Sequence, residues 1–178
     1  MRRFSRTRRF AEMNNKHHIK PHVKFTGWRC DSCGDVINSV QTGWVEWLAS
    51  EGENGNDVLS GLRLVHRGPQ QKTRRCNCRY DPRKLFRKNK TIVEGLPLNG
   101  IVGADGLMVL LSLVAEGGLP HAGILELVKR VQVPGYELIR HLPPRGQQSK
   151  LLSPILGHGC YLQSEIREIL AIGSLNLD

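Results

Sequence analysis

No stretch of this chain reaches 18 consecutive apolar residues, so the sequence contains no candidate membrane span. The N-terminus is basic but has no apolar segment behind it, which argues against a secretory signal and points to a cytoplasmic protein. Catalytic signatures are missing as well. A zinc deaminase would need a His/Cys-x-Glu element before Cys30, and none is there. The His-Glu-x-x-His helix of metalloproteases is absent, as is a phosphate-cradling Gly-x-x-x-x-Gly-Lys loop. Ser153 and Ser164 lack any context that marks a nucleophile, and no internal repeat is present. These absences favour a protein that is not an enzyme.

Acidic residues are missing from two places. Residues 1–24 hold eight Lys/Arg against Glu12 alone, and residues 72–90 hold nine against Asp81 alone. Of a net charge of +10 these segments contribute +7 and +8, which leaves the rest of the chain at −5. The body is therefore mildly acidic and the basic character is concentrated, an arrangement that a polyanionic partner would explain and solubility would not require. The blander reading is a solvated tail and loop. In composition, 39% hydrophobic and 24% charged residues are globular values, and 178 residues make one ordinary domain or two small ones.

The cysteines carry the most specific chemistry. Four of the five form two tight pairs, Cys30-x-x-Cys33 and Cys76-x-Cys78, each in turn-like sequence. In a reducing compartment such pairs favour metal over disulfide, and soft thiolates select Zn²⁺. Cys160 lies far from both pairs and reads as a small buried side chain. Two ligand sets compete. One is Cys30, Cys33, Cys76 and Cys78; in the other, His66 replaces a member of the second pair.

The expected fold class is α+β: a small zinc-stabilised β lobe, zinc-ribbon or treble-clef-like, followed by a compact helical C-terminal lobe. Residues 1–24 read as a basic, flexible arm, 25–90 as the zinc-binding lobe with the basic segment 72–90, and 91–178 as the helical domain. Thr42 to Leu48 alternates as a strand, with Val45 and Trp47 on one face and Trp44 and Glu46 on the other. Asn54-Gly55 lies in a turn-rich loop, and Leu62 to His66 reads as the return strand. Period two puts His66 on the same face as Leu62 and Leu64, pointing inward toward core or metal. Beyond Asn99 the pattern turns helical. Asp105 is the expected cap of a helix ended by Gly117-Gly118, and a second helix starts near Pro120 and is broken at Pro134-Gly135. A short third helix follows from Tyr136 to Leu142, and a last one from Ser164 to Ile172.

The stretch from Trp28 to about Ile172 resembles a family of uncharacterised bacterial small zinc-site proteins. The likeness rests on Cys30 and Cys33, Gly43 to Trp47, His66, and Cys78 with Tyr80. It continues through Asp105-Gly106-Leu107-Met108, Val133-Pro134-Gly135-Tyr136 and Tyr161-Leu162-Gln163-Ser164. The resemblance implies Cys30, Cys33, His66 and Cys78 as ligands, with Cys76 peculiar to this chain, and it implies no activity. A closed four-ligand site would be structural, and its binding energy, roughly 10–16 kcal/mol in small zinc modules, would become folding energy for a lobe too thin to fold unaided.

The expected function is nucleic-acid binding (DNA or RNA) within a larger assembly. Arg2, Arg3, Arg6, Arg8 and Arg9 make one phosphate-contacting set, and Arg74, Arg75, Arg79, Arg83, Lys84, Arg87 and Lys88 another. Phe4, Phe10, Tyr80 and Phe86 interleave with them and could stack on bases. A second reading is a zinc-stabilised protein–protein adaptor, because Leu107 to Val114 is nearly continuous apolar sequence. A minor third is an HNH-like nuclease: His17-His18-Ile19-Lys20-Pro21-His22 resembles that motif's opening, with Asn56 and His66 as its remainder. The gap from His18 to Asn56 is far longer than so compact a motif shows.

Overall fold

The computed structural model describes residues 27–53, 55–68, 77–140 and 161–175. The basic arm, Arg74, Arg75, Cys76 and Cys160 lie outside the described residues. Among the described residues the fold is mixed α+β, with small antiparallel sheets and helices.

The aromatic and β-branched run Gly43–Glu51 forms β3, and Asp57–His66 returns beside it as β4. Their register sets Gly43 opposite His66, Val45 opposite Leu64 and Glu46 opposite Arg63, with an irregularity between Glu46 and Leu48. Ahead of them, the two-residue strands β1 (Trp28–Arg29) and β2 (Val36–Ile37) pair antiparallel and carry the first cysteine turn. A strand that the sequence reading did not anticipate, β5 (Ile92–Pro97), pairs with the other edge of β3 and gives the order β4-β3-β5. Trp47 Nε1 donates to Glu94 Oε2 at 2.8 Å and ties the two together. The sheet therefore continues past residue 90, into the stretch 91–178 assigned from sequence to the helical domain, though ahead of Asn99, where the helical pattern begins.

Helix α1 (Pro82–Asn89) was also unanticipated. Asp81 caps it by accepting from Lys84 N, Pro82 stands at its first position, and Lys90 ends it in a left-handed conformation. Helices α2 (Gly103–Glu116) and α3 (His121–Gln132) follow, ended by Gly117 and by the Pro134-Gly135 break. After the break come α4 (Tyr136–Ile139) and α5 (Gln163–Leu175). Asp105 is not the cap of α2. The helix starts at Gly103, and Asp105 stands in its first turn, where its charge suits the positive end of the helix dipole.

One core joins sheet and helices. Val45, Trp47 and Leu64 of the strands pack with Leu98, Ile101, Leu110, Ile124 and Leu127, together with Cys30 and Cys78. A smaller cluster of Tyr136, Ile139 and Ile166 links α4 and α5. The apolar sequence of α2 divides between two environments: Leu110 is fully buried, whereas Met108 is 65% exposed and Leu111 48%. No helix among the described residues is long and apolar enough to cross a membrane.

The start of α2 rests on Gly106, where an added Cβ would stand 2.1 Å from the carbonyl carbon of Ile101. Backbone cannot move aside as a side chain can. Gly106→Ala is expected to destabilise the protein by about 1–3 kcal/mol. Gly123→Ala meets nothing nearer than 3.5 Å, and should be neutral or gain up to about 1 kcal/mol from helix propensity. Denaturant melts of the two variants check the pair.

Candidate metal centre

The turn after β1 is built by two backbone hydrogen bonds, Cys30 N to Asp35 O and Gly34 N to Cys30 O, both 2.9 Å. Gly34 has φ +79°, a conformation that glycine adopts without strain. This knuckle lies along the free edge of β4. Asp31 N donates to Leu64 O at 2.8 Å, and Leu64 N donates to Asp31 Oδ2 at 2.7 Å. Two residues beyond Leu64, on the same inward face, His66 ends the strand.

Cys30, Cys33, His66 and Cys78 come together there, and their ligand atoms all lie within 4.8 Å of one another. Cys33 Sγ stands 3.5 Å from His66 Nδ1, and Cys78 Sγ stands 3.7 Å from it. Sulfur at about 2.3 Å and nitrogen at about 2.0 Å from a common centre, at the tetrahedral angle, would be about 3.5 Å apart. The cluster thus has both the donor set and the spacing to hold a metal ion. Cys30, His66 and Cys78 are buried and Cys33 is half-buried, so a bound ion would be largely shielded from water. With Nδ1 as the ligand, the ring proton sits on Nε2, which faces Val36 O at 3.4 Å, the carbonyl partner expected behind a ligating imidazole.

Burial pushes the Cys30 thiol up, but backbone N–H groups of Cys33, Ser32 and His66 outweigh it and hold the thiol below its ordinary value. Those donors favour the thiolate, which is the ligand form. At Cys33 burial prevails over the Asp35 N–H, and the thiol lies above its ordinary value.

Each ligand-bearing segment is also held by residues that are not ligands. Fully buried Glu46, on the opposite face of β3, accepts from Arg63 Nε and Nη2 at 2.9 and 2.7 Å and from Tyr80 N at 2.9 Å. Arg63 Nη2 also donates to Cys78 O at 3.1 Å, so Glu46 and Arg63 together position the segment that carries Cys78. On the knuckle side, buried Arg130 of α3 donates from Nη1 to both Asp31 oxygens at 2.9 and 2.8 Å. Its Nη2 reaches Arg29 O at 2.7 Å and Glu137 Oε1 at 3.1 Å, and its Nε reaches Glu137 Oε2 at 2.9 Å. Glu137 in turn accepts from Arg29 N at 2.9 Å, and Trp28 Nε1 donates to Arg130 O at 3.1 Å.

Asp31, Glu46, Arg130 and Glu137 are not marked as functional by any sequence motif. The signals were there: a carboxylate inside the knuckle, a glutamate between Val45 and Trp47, and an arginine three residues after Leu127. The structure brings Cys30, Cys33, His66 and Cys78 together, whereas Cys76 lies outside the described residues. Of the nucleic-acid candidates, Arg79 stands 4.6 Å from the Trp44 ring centroid, and Arg83, Lys84, Arg87 and Lys88 are exposed on α1. Arg2, Arg3, Arg6, Arg8, Arg9, Arg74 and Arg75 lie outside the described residues.

No protein-family model, no curated protein and no solved structure matches the chain. The geometry of the thiol–imidazole cluster stands on its own residues.

Because Cys30 and Cys78 belong to the same core as Leu110 and Ile124, chelation is expected to lower helical circular dichroism and shift tryptophan emission together. Cys78→Ser and His66→Ala should lose the metal, whereas Cys76→Ser should retain one equivalent by elemental analysis. Metal retained in Cys78→Ser but lost in Cys76→Ser would assign the ligand set differently.

Burial pushes the Glu137 carboxyl up, but Arg130, by hydrogen bond and charge, outweighs it and holds the carboxyl below the usual carboxylate range. A depressed folded value means that Glu137 contributes stability above the ordinary carboxylate range, and that this is lost as pH falls through the folded value. Glu137→Gln is expected to cost about 3–5 kcal/mol at neutral pH, as for one member of a buried pair. The gap from wild type should narrow as acid melts are taken below about pH 4.3. A gap independent of pH would mean that the charge of Glu137 is not what stabilises the fold.

Proposed function

We propose that this chain is a non-enzymatic, cytoplasmic zinc protein that binds nucleic acid, DNA or RNA, as part of a larger assembly. Zn²⁺ is the ion that three thiolates and an imidazole select, and four protein ligands leave no position for water or substrate. Its role in this reading is structural, holding a zinc-ribbon or treble-clef-like lobe together.

The observation that carries the reading is α1. It begins four residues after Cys78 and exposes Arg83, Lys84, Arg87 and Lys88, none of which has a carboxylate partner among the described residues. Arg83 with Arg87, and Lys84 with Lys88, are like charges four apart, an arrangement that costs an isolated helix a few tenths of a kcal/mol per pair. A polyanion lying along the helix would turn that cost into binding energy. Phe86, 51% exposed with Lys90 Nζ 4.9 Å from its ring centroid, offers an apolar surface beside the charges. The arginines of the N-terminal arm supplement this face.

A specific observation favours the adaptor as a second reading: Met108 and Leu111 stand exposed on α2, where a protein partner could cover them. The nuclease reading ranks lower because His66 stands within the thiol cluster.

The test is fluorescence anisotropy with single-stranded and duplex probes across a salt series. Wild type should bind with steep salt dependence. Replacing Arg83, Lys84, Arg87 and Lys88 with Gln should lower the log–log slope by about 0.7–0.9 for each phosphate that is no longer neutralised. A flat salt dependence would overturn the reading. Absence of binding, with Met108→Lys releasing a co-purified protein, would favour the adaptor. Cleavage of the probe in Mg²⁺, lost in His18→Ala, would favour the nuclease.

A further inference from the structure

We propose that the cleft between the cysteine knuckle and α1 is a seat for one phosphate group, recognised by two arginines that the fold already holds in place. The inference rests on the nucleic-acid reading for the source of the phosphate, but the seat itself is argued from its own residues. Ser32, Arg63, Asn77, Arg79, Tyr80 and Lys84 line the cleft.

Arg63 and Arg79 share Glu46. Arg63 gives Nε and Nη2 to one carboxylate oxygen, and its guanidinium lies 3.3 Å from the centroid of the Tyr80 ring. These contacts immobilise the group and leave Nη1 without a partner among the described residues. Arg79 gives only Nε, at 3.5 Å, to the other oxygen of Glu46 and stacks over Trp44, which leaves both of its terminal nitrogens without partners among the described residues. Two guanidinium groups on one buried carboxylate leave one positive charge uncompensated. Lys84 adds another, set against Asp81, whose Oδ1 accepts from Lys84 N at 3.0 Å.

Net field is not what makes this a phosphate site. Three thiolates around a divalent ion would carry a formal charge of about −1 close by. Recognition rests instead on directional N–H groups, and guanidinium edges match phosphate oxygens in paired hydrogen bonds as a lysine cannot. Glu46 and Tyr80 hold Arg63 in place, so little of its side-chain entropy remains to be lost on binding, whereas the partly exposed Arg79 is braced by Trp44 and a long contact to Glu46. Lys84, on the first turn of α1, supplies a third cation from the helix side. The four-ligand centre has no open position, so the phosphate binds beside the metal and not on it.

The experiment is isothermal titration of the full-length, metal-loaded protein with inorganic phosphate at constant ionic strength, repeated with Arg79→Gln and Lys84→Gln. Arg63→Gln is avoided because Arg63 also holds the Cys78 segment. Metal content and melting curves confirm that both variants are folded. Saturable binding by wild type, weakened at least tenfold in Arg79→Gln and measurably in Lys84→Gln, is the expected result. No binding, or equal binding by all three proteins, overturns the seat. A single-stranded oligonucleotide then identifies the source. If it displaces phosphate, the seat serves nucleic acid. If phosphate binds and the oligonucleotide does not, the seat stands for a free anion and the nucleic-acid reading falls. If the oligonucleotide binds both variants as tightly as wild type and phosphate does not bind, the nucleic-acid reading stands without the seat.

Discussion

The Arg130 guanidinium is the constraint on which the rest of this structure depends. It is buried, it cannot shed its charge, and it presents five N–H donors that must all be satisfied away from water. Both oxygens of Asp31, both oxygens of Glu137 and the carbonyl of Arg29 meet that requirement. Asp31 lies between two thiols of the candidate metal centre, and Glu137 lies in α4, so a single side chain ties the knuckle to the helices. The pairing is geometrically demanding: a small shift of α3 would leave a buried charge unpaired. That demand sets the place of the helices against the sheet more sharply than apolar packing alone would.

Glu46 plays the corresponding part on the other face of β3. It is fully buried, and it collects Arg63, Arg79 and the Tyr80 amide. Through Arg63 it also holds the carbonyl of Cys78. The four ligands therefore arrive on segments that are each held by other contacts: Cys30 and Cys33 by the knuckle and Asp31, His66 by the strand register, and Cys78 by Glu46 and Arg63. The helix that follows Cys78 starts at its Asp81 cap, and its helical spacing sets Arg83 with Arg87 and Lys84 with Lys88 along one face.

Much of the fold was legible. Alternation along Thr42 to Leu48 and Leu62 to His66 marked the hairpin and put His66 inward, and the breaks at Gly117 and Pro134-Gly135 marked helix ends. Helix α1 was not legible because it is short, strongly basic and anchored by Leu85 alone among its own half-buried residues, so it has almost no apolar period to read. Strand β5 was missed for a different reason. Its sequence, Ile-Val-Glu-Gly-Leu-Pro, contains glycine and proline, and it becomes a strand by pairing with β3 from more than 40 residues away. The expected cap at Asp105 followed a local rule, but the close approach of Gly106 to Ile101 accompanies a start at Gly103 instead.

By itself the sequence determined the chemistry on offer: paired thiols within turns, a histidine on the apolar face of a strand, and basic residues crowded into two segments. These are local properties, and spacing and period express them directly. Only the tertiary structure decided which donors meet, because Cys33 and His66 are 33 positions apart and Arg130 and Asp31 are 99. Contacts at that range follow from strand register and helix packing. They also decided that two arginines, which in sequence are only members of a basic population, share one buried glutamate beside the candidate metal centre.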